Sequence, residues 1–342
     1  MSPKNLNAAI KIPNILKKNL KNQKISKIYK RFERNLDIYE NFVVAVSGGP
    51  DSLALAFLAK IYSIKKNLVS KFIIVDHKLR SGSTNEAKAT QKVLKKNSIN
   101  SKILSWHGKK PNKKVQSEAR KKRYQLLFAE SDKFKIHNIL LGHHRDDLYE
   151  NFFIRLLRGS GLKGLISLDK KSEINGKILL RPLIDQKKED LAFVAKYVFN
   201  SYIDDPSNKN EEFQRIGIRE LIKKLQKKGL DKKKFHNTIN NLKYSDSVVS
   251  FYVKMNLKEN TFFSEKKEKI YLRKEYFEQP YEVVFRSLIE SIKIVGKKHY
   301  PVRGKKLSKI ISNLENSRLF KQTIGGCIIE RVNQTVMVSK EH

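Results

Sequence analysis

The stretch VVAVSGGPDSLALAFLAK, residues 43–60, decides the fold. It begins with apolar residues typical of a buried strand, turns through Ser47–Ser52, and continues as an apolar segment typical of a helix. Gly48 and Gly49 let the backbone approach an anion closely, and the N-terminus of the helix presents N–H groups and the positive end of its dipole. The pattern therefore predicts a strand, a phosphate-binding turn and a helix.

The turn has the chemistry of a pyrophosphate site. Ser47 and Ser52 offer hydroxyl donors, and Asp51 is suited to hold a magnesium ion or to orient the phosphate. The alternative is a serine-glycine turn in which Asp51 is an ordinary helix cap. We assign the whole turn to the nucleotide: Ser47, Gly48, Gly49, Pro50, Asp51 and Ser52.

Composition limits the class of protein. The 342 residues suffice for two domains, and 72 Lys and Arg against 34 Asp and Glu give a formal net charge of +38. Such a charge indicates a polyanionic partner, unless it only reflects a lysine-rich proteome. The single cysteine, Cys327, excludes an intramolecular disulfide and fits a reducing, cytoplasmic location. No apolar run approaches the roughly 18 residues of a membrane span, so we expect no membrane partner.

Short apolar runs alternate with helix-like segments through the first half of the chain, which favours a doubly wound α/β fold with a parallel sheet. The expected strands cover residues 42–46, 72–76, 101–106 and 138–142. The expected helices cover residues 51–62, 84–97 and 117–130, with Ser83 and Thr84 as candidate caps.

Four segments are expected along the chain. They are a basic N-terminal extension over 1–40, a nucleotide-binding catalytic domain over 41–220, a helical linker over 221–259 and a small α+β domain over 260–342. The sequence DDPSN at 204–208 predicts a turn.

Polar residues follow three of the expected strands, and ligands of a doubly wound sheet bind at the carboxyl ends of its strands. Besides the turn at Ser47–Ser52, these are the residues from Asp76 to Arg80 and from His143 to Glu150. We assign Asp76 and His77 to the nucleotide and place Arg80 at the same edge.

The acidic residues Asp146, Asp147 and Glu150 are spaced to share one helical face. Such a face fits magnesium or a substrate amine, unless it merely complements the helix dipole. The adjacent His143 and His144 have no third His or Cys at a useful spacing, so zinc is not expected. The sequence RGSGLKG at 158–164 contains G-x-G-x-x-G without a preceding strand, so we expect a helix end and a loop there.

Taken together, the motifs resemble a known family. SGGPDS resembles the PP-loop of ATP pyrophosphatases, which implies an adenine nucleotide alpha hydrolase-like fold. From residue 47 to about 221 the chain resembles tRNA(Ile)-lysidine synthetases, through VDHKLR, SEARKKRY, GHHRDDLYENFFIRLLRGSGLKGL, RPLI, DDPSN and FQRIGIREL. The tail TIGGCIIERVNQTVMVSKE resembles the C-terminal domain of that family, which implies a tRNA-binding role.

The resemblance implies a reaction on the wobble cytosine of tRNA(Ile) with anticodon CAU. The ring carbonyl oxygen of the cytosine would attack the α-phosphate of ATP and release pyrophosphate, with magnesium offsetting charge. The ε-amine of free L-lysine would then displace AMP and give lysidine. The oligomeric state is left open, with a homodimer among the alternatives.

The implied roles fall on residues of this sequence. Asp51 would be catalytic in the nucleotide loop, and Asp147 and Glu150 would hold the lysine ammonium group and take its proton, with His143 as the second candidate base. Arg80 would meet the lysine carboxylate. The arginines assigned to the RNA are Arg155, Arg158, Arg215 and Arg219. The sequence departs from the family at two motifs. RIGIR lacks an asparagine and a third arginine, and DDLYEN has tyrosine and asparagine near positions where the family has glutamine or alanine and threonine.

Other functions compatible with the loop predict different residues. A tRNA thiolase would need more cysteines, and amidotransferase-linked enzymes would need a glutaminase nucleophile. NAD synthetase would leave RLLRGSGLKGL and the basic charge unexplained. A non-catalytic tRNA-binding protein would bind tRNA without consuming ATP.

Overall fold

The structure, a computed structural model, describes residues 12–79, 82–108, 115–202, 213–264, 268–297, 304–316, 320–333 and 335–341. The chain divides into two compact units, Met1–Gly229 and Leu230–His342. Arg80, the turn predicted at 204–208 and the first residues of the predicted N-terminal extension lie outside the described residues. The four-part division of the chain stays a prediction.

The first unit alternates helices and strands after two N-terminal helices. Its elements are α1 (Asn14–Leu20), α2 (Gln23–Leu36), β1 (Phe42–Val46), α3 (Pro50–Lys65), β2 (Ser70–Asp76), α4 (Ser83–Lys96), β3 (Ser101–Ser105), α5 (Val115–Lys133), β4 (Asn138–Leu140), α6 (Arg145–Leu157), α7 (Leu162–Leu165), β5 (Lys171–Ile174), β6 (Lys177–Leu180), α8 (Lys188–Phe199) and α9 (Phe213–Lys227).

The sheet of the first unit has the order β3-β2-β1-β4-β6-β5. Strand β1 pairs in parallel with β2 on one side and β4 on the other, so Phe42 lies opposite both Ser70 and Asn138. The predicted α/β fold with a parallel sheet is confirmed. Sequence reasoning missed both β5 and β6, which pair in antiparallel fashion with β5 at the edge of the sheet. The turn between them, Asn175-Gly176, has positive φ at both residues, and such a pair is a strong hairpin signal.

Helix α3 is apolar on nearly all sides because it is covered on nearly all sides. It packs on β1 and β2 and against α2 and α8, and every residue from Ser52 to Ala59 is buried. Helix α2 belongs to the same core: Phe32 meets Tyr62 edge to face, with ring centroids 6.1 Å apart. The helix that follows the loop is therefore fixed from both sides, and so is its N-terminus.

The second unit is an α+β fold. Its elements are α10 (Lys232–Glu259), β7 (Thr261–Ser264), β8 (Lys269–Leu272), a 3-10 turn (Lys274–Tyr276), α11 (Tyr281–Gly296), α12 (Gly304–Asn316), β9 (Lys321–Ile324), β10 (Cys327–Val332) and β11 (Thr335–Lys340). The antiparallel sheet has the order β7-β8-β11-β10-β9. Among the described residues, no helix is both long enough and apolar enough to cross a bilayer.

Candidate active site

The loop after β1 is held in shape by the hydroxyl of Ser52. Its Oγ accepts from the backbone N–H groups of Ser47 and Gly48, both at 3.1 Å, and donates to the carbonyl of Gly49 at 2.9 Å. The hydroxyl of Ser47 also lies 3.2 Å from this oxygen. Ser52 is buried, so in this structure its hydroxyl shapes the loop, while the hydroxyl of Ser47 lies at the rim.

The two glycines of the loop serve different needs. Gly48 has φ of +89°, a conformation that side-chain-bearing residues rarely adopt. Gly49 is the N-cap of α3 with an extended backbone, and a Cβ added there would meet only the Ser47 hydroxyl, at 4.0 Å. Gly48 is thus required by the backbone itself, whereas the space beside Gly49 is open toward an incoming group.

Asp51 lies in the first turn of α3, directly after Pro50. Its Oδ2 is 3.5 Å from Nε2 of His144. Its Oδ1 is buried without a hydrogen-bond partner among the described residues. An unsatisfied buried carboxylate oxygen is a suitable magnesium ligand, because it must otherwise bear the cost of lost hydration.

The described residues contain no group of three or more His, Cys, Asp or Glu side chains that could enclose a metal ion. Magnesium often binds through one or two carboxylates and completes its shell with substrate phosphates and water. Asp51 and the phosphates of a bound nucleotide fit that pattern.

The end of β4 lies against this loop. A Cβ added to Gly142, two residues after β4, would come within 3.4 Å of backbone atoms of Asp51 and Ser52. The polar clusters that follow β1 and β4 therefore meet, as the position of both strands in the centre of the sheet requires.

His144 joins the two clusters, and sequence reasoning did not assign it a role. It is the N-cap of α6: its Nδ1 accepts from the N–H of Asp146 at 3.2 Å, and its own N–H donates to Oδ2 of Asp147 at 2.9 Å. Its Nε2 lies 3.5 Å from Asp51 and 3.6 Å from Asp147. Its position between a central strand and a helix rich in acids was the available signal.

The protonation of His144 involves two opposed effects. Burial alone would lower the pKa of His144, but the hydrogen bond to Asp51 and the charges of Asp147, Asp51 and Asp146 raise it to about 9. Nδ1 of His144 accepts the hydrogen bond from the N–H of Asp146, while Nε2 faces the carboxylates of Asp51 and Asp147.

His143 and Asp147 differ in charge. Burial lowers the pKa of His143 to about 4, against the attraction of Asp147, so its imidazole is neutral at neutral pH. Burial raises the pKa of Asp147, but the charges of His144 and His143 and the hydrogen bond from the His144 N–H outweigh it and lower that pKa overall. The pair presents a neutral nitrogen beside a carboxylate.

Glu150 lies one turn further along α6, and its partner comes from α9. Nε of Arg219 is 2.7 Å from Oε1 of Glu150, and Nη2 is 3.4 Å from Oε2. The Glu150 side chain is only 5% exposed and that of Arg219 is 38% exposed. Arg215, on the same helix, lies near enough for its charge to lower the pKa of both His143 and Asp147.

The side chains of Asp76 and His77 contact protein groups. Asp76 is buried and accepts from the N–H of Lys78 at 3.0 Å and from the hydroxyls of Ser83 and Thr84 at 2.8 and 2.6 Å. These two hydroxyls were predicted to cap α4, whose N-cap is instead Gly82. Nε2 of His77 accepts from Nε of Arg123 at 3.1 Å. The assignment of Asp76 and His77 to the nucleotide stays a prediction.

The remaining assigned arginines lie along α6 beyond the acidic turn. Arg155 is in the last turn of the helix and Arg158 is its C-cap, which is exposed. At 1.5 Å per residue, Arg158 is about 12 Å along the helix axis from Glu150. The structure thus separates a buried acidic end of α6 from a basic, exposed end.

Comparison with known proteins identifies a family and individual proteins that are similar to this chain. A family described as a PP-loop domain matches residues 18–225. A tRNA(Ile)-lysidine synthase of Orientia tsutsugamushi (strain Boryong) is 31% identical over 323 residues, which are 91% of this chain and 71% of that protein. The tRNA(Ile)-lysidine synthase of Wolbachia sp. subsp. Brugia malayi (strain TRS) is 29% identical over 308 residues, which are 89% of this chain and 72% of that protein.

A solved structure resembles the chain in fold. The U34-tRNA thiolase NcsA from Methanococcus maripaludis has a TM-score of 0.54 at 19% sequence identity, and the similarity covers 65% of this chain and 78% of that chain. At this identity the likeness concerns the fold alone.

Proposed function

Because the chain belongs to the tRNA(Ile)-lysidine synthase family of PP-loop enzymes, we propose that it joins free L-lysine to the wobble cytosine of tRNA(Ile) with anticodon CAU. It is a ligase that forms a carbon–nitrogen bond, with tRNA as its substrate and ATP as its energy source. The identity of the nucleophile, the adenylated intermediate and the residues that act on them are the proposed parts.

One observation supports the proposal above others: Asp51 and Asp147 both lie beside Nε2 of His144, at 3.5 and 3.6 Å. One carboxylate belongs to the helix that follows the glycine loop and the other to the helix that follows β4. A nucleotide on the first helix would therefore have a carboxylate-lined region next to it, as ligation of an amine to a nucleotide-activated group requires.

In the first half-reaction, the cytosine carbonyl oxygen attacks the α-phosphorus of ATP, an oxygen–phosphorus bond forms, and the bond to pyrophosphate breaks. The helix N-terminus at Asp51 and Ser52 and the open space at Gly49 would hold the departing pyrophosphate. Magnesium, when bound, would neutralise phosphate charge, and Asp51 is the residue that would hold it.

In the second half-reaction, the ε-amine of lysine attacks the activated ring carbon, a carbon–nitrogen bond forms, and AMP leaves with the former carbonyl oxygen. The ammonium group must first lose a proton, since its usual pKa is about 10.4. Asp147 and Glu150 are the proposed partners of the ammonium group, and the neutral imidazole of His143 is the second candidate for the proton. In this structure Glu150 already forms an ion pair with a cation, the guanidinium group of Arg219.

The RNA side of the proposal uses the basic residues. Arg155, Arg158 and Arg215 are proposed to meet phosphates, and residues 260–342 are proposed to bind tRNA. We also propose a cytoplasmic location. For the oligomeric state, a homodimer is one of the alternatives.

The decisive experiment supplies the purified protein with labelled lysine, ATP and magnesium, and compares tRNA(Ile) carrying CAU with tRNA(Met), which has the same anticodon. We expect lysine to enter only the first tRNA, with one AMP and one pyrophosphate per lysine. Labelling from a sulfur or ammonia donor instead would assign a different PP-loop reaction. Tight tRNA binding without ATP consumption would establish a binding protein.

A further inference from the structure

Helix α10 exposes a row of large apolar side chains on one side. Tyr244, Val248 and Phe251 are 69, 55 and 59% exposed, and the neighbouring Tyr252 is 49% exposed. Val248 lies four residues after Tyr244, three before Phe251 and four before Tyr252, and these spacings place all four side chains on one side of a helix. We call these four residues the α10 aromatic face. Rows of exposed apolar side chains of this kind mark interaction sites rather than ordinary surface.

The opposite side of α10 serves the core of the second unit. Val253 and Asn256 are buried there, and Asn256 donates from Nδ2 to the carbonyl of Tyr276 at 3.2 Å. Asp246 points the same way and binds Nη1 of Arg286 at 2.5 Å. The helix is thus already anchored by its other side, and the α10 aromatic face is not needed for that packing.

The charge around the α10 aromatic face is positive. Lys233 lies eleven residues before Tyr244, and Lys258 lies seven residues after Phe251, so both fall on the same side of the helix. The acids of α10 are Asp246, which is bound to Arg286 on the opposite side, and Glu259, the last residue. A polyanion fits such a surface, whereas a second copy of the same face would set lysines against lysines.

Aromatic rings between cations are the pattern that binds single-stranded nucleic acid. Rings stack on the faces of unpaired bases, and the cations meet the phosphates. Phe251 and Tyr252 already form an edge-to-face pair, with ring centroids 5.6 Å apart. Tyr244 and Phe251 are about 10 Å apart along the helix axis, which is about three times the 3.4 Å spacing of stacked nucleotides.

We propose that the α10 aromatic face binds unpaired nucleotides of the tRNA substrate by base stacking. This inference rests on the proposed function, because it takes the RNA partner from it. It assigns an RNA contact to the helix that sequence analysis treated only as a linker.

The test compares the double variant Tyr244→Ala, Phe251→Ala with wild type in two measurements: the Kd for tRNA at fixed salt, and the Kd for a short unstructured RNA. Alanine in place of a stacking aromatic weakens binding by at least about fivefold per base. We expect at least that loss for both RNAs, with the slope of log Kd against log salt unchanged, because no phosphate contact is removed. The variant Tyr244→Phe, Phe251→Tyr keeps the rings and should restore binding.

The matched control is Tyr39→Ala, which removes a tyrosine of the first unit that is 70% exposed. It should leave both Kd values unchanged. Equal affinity of wild type and the double alanine variant would overturn the inference. A double variant that changes the molar mass in light scattering while binding RNA normally would overturn it in favour of a protein partner.

The same samples separate this inference from the proposed function. Wild type that binds tRNA but forms no lysidine would contradict the proposed function, and the two Kd comparisons would still decide the role of the α10 aromatic face. For lysidine formation, the double variant should need a higher tRNA concentration than wild type to reach its half-maximal rate.

Discussion

Arg219 binds Glu150 with two nitrogens, Nε at 2.7 Å from Oε1 and Nη2 at 3.4 Å from Oε2. Sequence analysis had given these residues different partners, the lysine ammonium group for Glu150 and the RNA for Arg219. In the structure, the guanidinium group of Arg219 binds the carboxylate that we propose for the ammonium group of lysine. Under that proposal, lysine and Arg219 would compete for Glu150, and a phosphate that attracts Arg219 would favour the lysine.

The first prediction concerns the stability of this pair. Arg219→Ala leaves the buried Glu150 carboxylate without its counter-ion, whereas Arg219→Ala combined with Glu150→Gln leaves no charge to compensate. Because Arg219 is partly exposed, we expect a modest coupling of about 1–2 kcal/mol in the free energy of unfolding. Urea unfolding of the wild type, both single variants and the double variant measures it. Strictly additive effects would show that the contact does not stabilise the fold.

The second prediction separates the two half-reactions at Glu150. Glu150→Gln keeps the volume and a hydrogen-bond acceptor for Arg219 but removes the negative charge that an ammonium group needs. We expect release of pyrophosphate with tRNA to persist while lysine incorporation falls by at least about a hundredfold. Single-turnover assays with labelled ATP and labelled lysine measure the two steps. Loss of both steps together would place Glu150 in nucleotide binding instead.

The third prediction concerns His144, which caps α6 and contacts Asp51. His144→Ala removes the acceptor for the Asp146 N–H, so we expect a loss of about 1–2 kcal/mol in the free energy of unfolding. It also releases Asp51, so the KM for ATP should rise more than that for lysine. His144→Asn supplies a side-chain cap but does not reach Asp51 as the imidazole does. This variant should recover the stability and keep the ATP defect.

Much of the fold could be predicted from local patterns in the sequence. The loop followed from an apolar run, a pair of glycines and a helix start, and the structure has them at β1, Gly48 and α3. The hairpin of β5 and β6 was missed although Asn175-Gly176 carried its signal, because both strands have only four residues and β5 is largely exposed. Periodicity identifies long buried elements better than edge strands.

The site was predicted less completely, for a physical reason. The loop, His143 and the acids of α6 are close in sequence to their strands, so their position followed from the fold. The contact of Glu150 with Arg219 joins residues 69 positions apart, and nothing local specifies it. Asp76 had the position expected of a ligand-binding residue, but its carboxylate is used by Ser83 and Thr84. A carboxylate at a strand end has the same sequence signal in both roles.

The fourth prediction contrasts the two glycines of the loop. Gly48→Ala places a residue with a Cβ at a backbone φ of +89°. We expect the free energy of unfolding to fall by about 1–2 kcal/mol and the affinity for ATP to fall as well. Gly49→Ala meets only ordinary contacts within the protein. It should unfold like wild type yet bind ATP at least about tenfold more weakly if a phosphate approaches this position closely. Calorimetric titration with ATP, beside thermal unfolding, distinguishes the two variants.

The fifth prediction uses the pH dependence of stability at Asp76. Burial raises the pKa of this carboxyl, but the hydrogen bonds from Thr84, Ser83 and Lys78 outweigh burial and lower the pKa below the ordinary value of 3.8. A lowered pKa in the folded state stabilises the protein above the unfolded pKa, and the contribution is lost as pH falls through the folded pKa.

Asp76→Asn removes the charge and leaves one acceptor oxygen for three donors, so we expect a loss of about 2 kcal/mol in the free energy of unfolding at pH 7. The difference between wild type and variant should shrink as the pH falls below about 4, because the unfolded wild-type chain then takes up a proton at Asp76, and it should vanish once the folded carboxyl is protonated as well. Urea unfolding of both proteins at pH 7, 5 and 3 measures this difference directly. The variant Ser83→Ala, Thr84→Ala removes two donors and should lose stability at pH 7 without a change in the KM for ATP. A difference between wild type and Asp76→Asn that stays constant with pH would show that the carboxylate charge does not hold the β2–α4 connection.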